Sequence, residues 1–143
     1  MMDKKLKEDL MKIDHVGYAV KDIERAKKSF EMLGFWFENM MDDPDRNVKL
    51  IFGENNGYRI ELVQPLSKDK PSPVDTYLKS MGATPYHFCY SSDTFEEDIA
   101  ELTEQGFRVI IEPQSAVALG GRRVVFMMDR GMGLFEIMEE GVV

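Results

Sequence analysis

The stretch Asp14-His15-Val16-Gly17-Tyr18-Ala19-Val20 decides the fold, because the chain carries its counterpart, Tyr86-His87-Phe88-Cys89-Tyr90-Ser91-Ser92. Each stretch holds a His near its start. Each is followed by a helical run that stops at Gly-Phe, Gly34-Phe35 in the first case and Gly106-Phe107 in the second. The spacing is 72 residues, both from 15 to 87 and from 35 to 107. In that frame Ile23 aligns with Phe95, Glu24 with Glu96 and Phe30 with Leu102. A second pair closes each repeat: Arg59-Ile60-Glu61-Leu62-Val63 and Leu134-Phe135-Glu136-Ile137-Met138, where 61 and 136 lie 75 apart. One repeat therefore supplies one His on its first strand and one Glu on its last.

Between these anchors the pattern is legible. Residues 12–20 read as a strand. Asp22 stands at a helix N-cap with Glu24 in the first turn. Ile23, Ala26, Lys27 and Phe30 make a helical stripe in which Lys27 is the imperfect member, and Gly34 ends the helix. Strands are expected at 35–41 and 48–52, parted by a turn at Asp42-Asp43-Pro44-Asp45. Asn55-Asn56-Gly57 is a hairpin turn, and 58–63 is the returning strand. Residues 65–84 hold three prolines and read as a linker with a short helix at 74–81. The pattern then restarts with strand 86–92, helix 95–105, strand 107–111, the glycine loop Leu119-Gly120-Gly121, strand 122–128 and strand 134–139. Residues 1–11 form an N-terminal extension, either a short helix or a frayed tail.

Each half is β-α-β-β-β. One such module has a curved sheet face with nothing to bury it against, and two together can bury one. The expected fold class is α+β: paired βαβββ modules forming a cup-shaped, partly open eight-stranded sheet. It makes a single domain over 12–140, with repeats at 12–64 and 85–139. The modules could pair within one chain or between two.

Composition narrows the function. A chain of 143 residues with 43% hydrophobic content is one globular domain's worth. Eighteen basic against 26 acidic residues give a net charge of −8, which argues against a nucleic-acid surface. No apolar run is long enough to span a membrane. The charged start of the chain lacks the apolar centre of a signal peptide, and the single Cys89 cannot close an internal disulfide. A cytoplasmic protein with a small-molecule substrate is expected, with no nucleic-acid or membrane partner.

Strand parity singles out four residues. Side chains alternate between faces, so His15 shares a face with Gly17 and Ala19, His87 with Cys89 and Ser91, and Glu61 with Arg59 and Val63. Ile60, Leu62, Phe135 and Ile137 then face the helices as core. A carboxylate inside an apolar strand is costly unless something answers its charge. Glu61 and Glu136 present that exception at equivalent places, beside the chain's only two His. His15, Glu61, His87 and Glu136 are together a ligand set for one divalent metal ion. Imidazole and carboxylate suit Ni, Co, Mn, Zn or Fe. Elsewhere, the Gly120-Gly121-Arg122-Arg123 segment offers backbone N–H groups and two guanidinium groups to a substrate phosphate or carboxylate. Cys89 reads as a small buried residue.

The chain resembles the vicinal oxygen chelate superfamily from about residue 12 to 140. The resemblance is carried by Asp14-His15-Val16-Gly17-Tyr18-Ala19-Val20-Lys21-Asp22, by Leu33-Gly34-Phe35 and by Gly133-Leu134-Phe135-Glu136-Ile137. Ile60-Glu61-Leu62-Val63-Gln64-Pro65-Leu66, Ser72-Pro73 and Gly120-Gly121-Arg122-Arg123-Val124-Val125-Phe126 look most like its methylmalonyl-CoA epimerase branch. The resemblance implies the glyoxalase-like fold, a homodimer, and one divalent metal on His15, Glu61, His87 and Glu136. It implies an enzyme acting on the proton next to a carbonyl, with Glu136 or Glu61 as catalytic base. A glyoxalase I-type lyase and a non-catalytic small-molecule binder of the same fold are the alternatives. Two departures stand out. The strand Asn47-Val48-Lys49-Leu50-Ile51-Phe52 carries no acid where some epimerases place an additional base, which leaves Lys49 as a further candidate at the substrate. Thr84-Pro85-Tyr86 precedes His87 where many epimerases have another His.

Overall fold

The computed structural model describes residues 10–141, so the N-terminal extension at 1–11, read as a short helix or a frayed tail, lies almost wholly outside the described residues. The chain forms two compact units, whose boundaries fall between Asp14 and His15 and between His87 and Phe88.

The unit of residues 15–87 contains most of strand β1 (Lys12–Ala19), helix α1 (Ile23–Met32), strands β2 (Trp36–Phe37), β3 (Met41–Asp43), β4 (Val48–Asn55) and β5 (Tyr58–Pro65), and helix α2 (Asp75–Met81). Asp22 caps α1 by accepting a hydrogen bond from the Arg25 amide at 3.2 Å. The strand order is β2-β4-β5-β1, with β3 also on β4. β1 and β5 run parallel, with Gly17 opposite Glu61, while β4 and β5 form a hairpin with Phe52 opposite Glu61. Asn55 pairs with Tyr58, and the two residues between them, Asn56 and Gly57, have φ of 51° and 86°. Positive φ at both central positions is the type I′ turn that suits the strand twist. One face of this sheet packs under α1. Val20, Ile23, Ile51, Ile60 and Leu62 form its core, with Val16, Tyr18, Ala26 and Phe30 packed against them.

The single strand expected at 35–41 is two strands. Trp36 pairs with Glu54 and Met41 with Leu50, so the register slips by one residue between β2 and β3, as an inserted residue makes it do. Asp42 and Asp43 consequently belong to β3, and the turn is displaced to residues 44–47. Asn47 ends it at φ 55°. Its buried side-chain amide donates to the carbonyls of Ser67 and Lys70, both at 2.9 Å, and its oxygen accepts from the Ser67 amide at 3.0 Å. This residue pins the start of the linker. The described residues thus hold nine strands, where eight were expected.

The second unit contains most of β6 (Thr84–Ser92), helix α3 (Phe95–Glu104) and strands β7 (Arg108–Ser115), β8 (Arg123–Asp129) and β9 (Gly133–Glu139), in the order β6-β9-β8-β7. It repeats the first unit at the level of register. β6 and β9 are parallel with Cys89 opposite Glu136, and β8 and β9 are antiparallel with Phe126 opposite Glu136. The helix-side core is Phe95, Val125, Met127, Phe135 and Ile137. β7 runs four residues beyond the expected end at 111, carried by two register irregularities against β8. Among the described residues no helix is long and apolar enough to cross a membrane.

Candidate metal centre

Parity along β1 and β5 acts as expected on the face away from α1. His15, Gly17 and Ala19 are buried while Val16 and Tyr18 pack on the helix-side core. Three donors from three separate strands meet there. The Nε2 of His15 lies 3.4 Å from Oε1 of Glu61, and the Nε2 of His87 lies 3.9 Å from the same oxygen. One ligand atom from each of His15, Glu61 and His87 lies within 4.8 Å of the other two. The two imidazoles are edge to face, with centroids 5.7 Å apart. His15 and His87 are 1% and 5% exposed, and the Glu61 side chain is 13% exposed.

Gly17 is what lets His87 come so close. A Cβ on Gly17 would fall 2.1 Å from Cε1 and 2.3 Å from Nδ1 of His87. The space that small residues leave beside His15 is filled by the second imidazole. Tyr86 backs this ring at 4.5 Å between centroids, with Tyr77 on its other side at 5.2 Å.

The donor set fits a divalent ion. Imidazole nitrogen and carboxylate oxygen are the ligands of the first-row divalent metals. With bonds of about 2.1 Å, donor–donor edges of a tetrahedral or octahedral shell measure about 3.0–3.4 Å. The His15–Glu61 edge matches this range and the His87–Glu61 edge is slightly longer. Two imidazoles and one carboxylate leave further coordination positions, as a catalytic rather than a structural site requires.

Glu136 lies in the other unit. It is 6% exposed in mid-β9, between Cys89 of β6 and Phe126 of β8. In its own unit it holds the place that Glu61 holds in the first. Cys89 is fully buried beside it, packed with Ala116, Val124 and Met138.

Within the same unit, Lys49 is not gathered with these donors. Lys49 pairs with Gln64, three rungs from the Phe52–Glu61 pair and so of opposite parity. Alternation puts it on the α1 side of the sheet with Ile51. Arg123 is held at 2.7 Å and 3.2 Å by Glu139 and at 3.0 Å by Glu96, and it lies over the Phe95 ring on the α3 side. The hydrogen bonds that Arg123 donates to Glu139 and Glu96 raise its pKa, and the bond it donates to Glu139 holds that carboxyl below its ordinary value. Arg122 lies against the sulfur of Met138 at 3.7 Å, on the opposite face of the sheet. The amides of Gly120 and Gly121 are spent on Val117 and Ala116 carbonyls within the loop.

Two residues at the centre escaped the sequence reading. Phe52 is buried, opposite Glu61, with its ring edge to face with His15 at 5.2 Å. Arg59 sets its guanidinium 3.9 Å above the Phe52 ring centroid, with Glu38 at 3.8 Å. The signal for both was present: a two-residue turn at Asn56-Gly57 fixes the hairpin register and so pairs 52 with 61.

Residues 14–126 match the family model described as the Glyoxalase/Bleomycin resistance protein/Dioxygenase superfamily. The mitochondrial methylmalonyl-CoA epimerase of Bos taurus is 27% identical over 127 residues, covering 87% of this chain and 71% of that protein. The crystal structure of hypothetical protein BH1468 from Bacillus halodurans C-125 superposes with a TM-score of 0.81 at 30% identity, covering 93% of this chain and 96% of that one. The methylmalonyl-CoA epimerase of Mycobacterium tuberculosis shares the fold with a TM-score of 0.78 at 24% identity, covering 91% and 88%.

Proposed function

The chain belongs to the Glyoxalase/Bleomycin resistance protein/Dioxygenase superfamily, and we propose that within it the protein is a divalent-metal-dependent epimerase of an acyl-CoA thioester. The observation that carries this reading is the convergence of His15, Glu61 and His87 donor atoms on one point of a buried sheet face. The bovine epimerase relative supports the choice of substrate class. In the proposal His15, Glu61 and His87 hold the ion. Glu136, the repeat's counterpart of Glu61, completes the ligand set.

A divalent ion bound there would polarise a carbonyl oxygen and stabilise the negative charge that develops as the α-proton leaves. The chain's own residues do the rest. The buried imidazoles fix where that oxygen can lie. One glutamate takes the proton from one face of the α-carbon, and the other, in its acid form, returns a proton to the opposite face. Glu136 is our choice for the base and Glu61 its alternate, each a carboxylate inside an otherwise apolar strand.

Solvent deuterium exchange read by NMR tests this, with metal-loaded protein and methylmalonyl-CoA in one arm and methylglyoxal with a thiol in the other. Exchange at the α-carbon of the thioester, lost in Glu136→Gln with the fold intact, is the expected result. Turnover of the hemithioacetal alone would move the assignment to a glyoxalase-type lyase. Tight ligand binding without exchange in either arm would make the protein a binder.

A further inference from the structure

We infer that Trp36 is the platform on which the pantetheine arm of the acyl-CoA thioester lies, a subsite on the same face of the sheet as His15, Glu61 and His87. The inference rests on the acyl-thioester reading of that centre. Trp36 is the chain's one tryptophan, and it is 56% exposed although it stands within a strand. Register fixes which way it faces. It pairs with Glu54 of β4, and Glu54 pairs with Arg59 of β5, two residues before Glu61. Residues directly opposite or two apart share a face, so Trp36, Glu54, Arg59 and Glu61 lie on one side. The contacts agree with this. Its neighbour Phe37 packs against the helix-side core, where a Cβ on Gly53 would fall 2.4 Å from the Phe37 ring. Glu38, two residues on from Trp36, reaches Arg59 at 3.8 Å, and that guanidinium lies over Phe52, the ring beside His15.

Distance identifies the part of the ligand that meets the ring. From Glu61 to Trp36 is two strand spacings across and one side-chain repeat along, about 12 Å. A thioester whose carbonyl oxygen sits at the donors of His15, Glu61 and His87 carries its pantetheine arm away from the sulfur. About ten bonds along that arm, or about 12 Å at the ~1.2 Å per bond of an extended chain, is the carbon that bears two methyl groups. An apolar branch of that kind packs on an indole face. The amide and hydroxyl just before it are hydrogen-bonding groups, and Glu54, part-buried and paired with Trp36, is an acceptor for them. The surroundings favour this ligand over a protein partner. This face carries Glu38 and Glu54 around the ring, and carboxylates are depleted at the cores of protein interfaces. β2 is also only two residues long, a short edge of the kind that discourages pairing with a strand of another chain.

A single tryptophan makes the test direct, because all indole emission from the chain is that of Trp36. The full chain, loaded with Zn(II), is titrated with propionyl-CoA and with propionyl-pantetheine, and calorimetry measures each affinity. Both thioesters should change the emission to the same extent at saturation. The propionyl thioester of N-acetylcysteamine, which ends about 6 Å from the sulfur, should leave it unchanged. Trp36→Ala should weaken propionyl-pantetheine binding about tenfold, the worth of about 60 Å² of apolar surface no longer covered, and Trp36→Phe should weaken it less. Because Trp36 is exposed, both variants should keep the parent's urea midpoint. Thioester binding with unchanged emission, a response to propionyl-CoA alone or to the short thioester, or equal affinity in Trp36→Ala would overturn the inference and leave the acyl-thioester reading standing. An emission change on raising protein concentration without ligand would also overturn it, since a second copy would then cover the ring. No binding of propionyl-CoA would overturn both.

Discussion

At Gly17 the missing side chain has a definite occupant. The ring of His87 stands where a Cβ would be, so Gly17→Ala forces the imidazole to shift. A core can absorb an added methyl at a cost of about 1–3 kcal/mol, but a ligand displaced by an ångström no longer binds. Gly17→Ala should therefore lose metal affinity at least tenfold, of the order seen when a ligand's support is removed, while the urea midpoint falls modestly. Calorimetry with Co(II) beside urea titration checks this, and a large loss of stability with affinity retained would contradict it. The four donor candidates were legible at this scale because a His or Glu in an apolar strand is conspicuous in one dimension. Arg59 and Phe52 were not, because an arginine beside a strand glutamate looks like a solvated pair until the hairpin register places a ring beneath it. Lys49 shows the converse. It was picked for what its strand lacked, and parity turns it toward α1.

Among the elements, hairpins and caps were the parts that local chemistry dictates. Asn56 and Gly57 take the positive φ values that their residue types anticipate, and Asp22 caps α1. Gly57 has open space around its Cβ position, so Gly57→Ala isolates backbone strain, which costs about 1–2 kcal/mol for an L-residue at φ 86°. Urea denaturation should show that loss with Co(II) affinity unchanged, since the turn lies at the far end of the hairpin from the linker. The split of the strand at 35–41 was not legible. A one-residue slip arises from two partners finding register on one strand, and no single residue announces it. The opposite facing of Arg122 and Arg123 was not legible for a related reason, since alternate residues along a strand face opposite ways. Arg123 is instead tied to Glu139, whose pKa it depresses. A carboxylate with a lowered folded pKa contributes stability above its unfolded value, and that contribution is lost as pH falls through the folded value. The difference in urea midpoint between the parent and Glu139→Gln should thus be full above pH 4.5, the group's ordinary value, and shrink below it. A difference that stays constant as pH falls would show that the pair does not couple to folding in this way.

Over the molecule as a whole, duplication explains why so much of the architecture could be read and why the centre looks as it does. Each unit repeats a parallel outer strand, a helix and a returning glutamate strand, and the two glutamates occupy matching places between a small residue and a Phe. In unrepeated sequences a lone buried carboxylate has many explanations, whereas here the second copy repeats the first. The donors of the first unit come from three separated segments: His15 from β1, Glu61 from β5 and His87 from β6. An ion that binds all three binds only the folded chain, because unfolding disperses them. Binding to the native state alone stabilises it by about 2.7 kcal/mol when free metal stands at a hundred times the dissociation constant. For a chain of this size that raises the melting temperature by about 10 °C. Differential scanning calorimetry with Co(II), then with excess chelator, should show the rise and its reversal. His87→Ala should abolish most of the rise and leave the chelated melting temperature close to that of the parent. A rise that survives in His87→Ala would place the ion elsewhere on the chain, and with it the chemistry assigned to these residues.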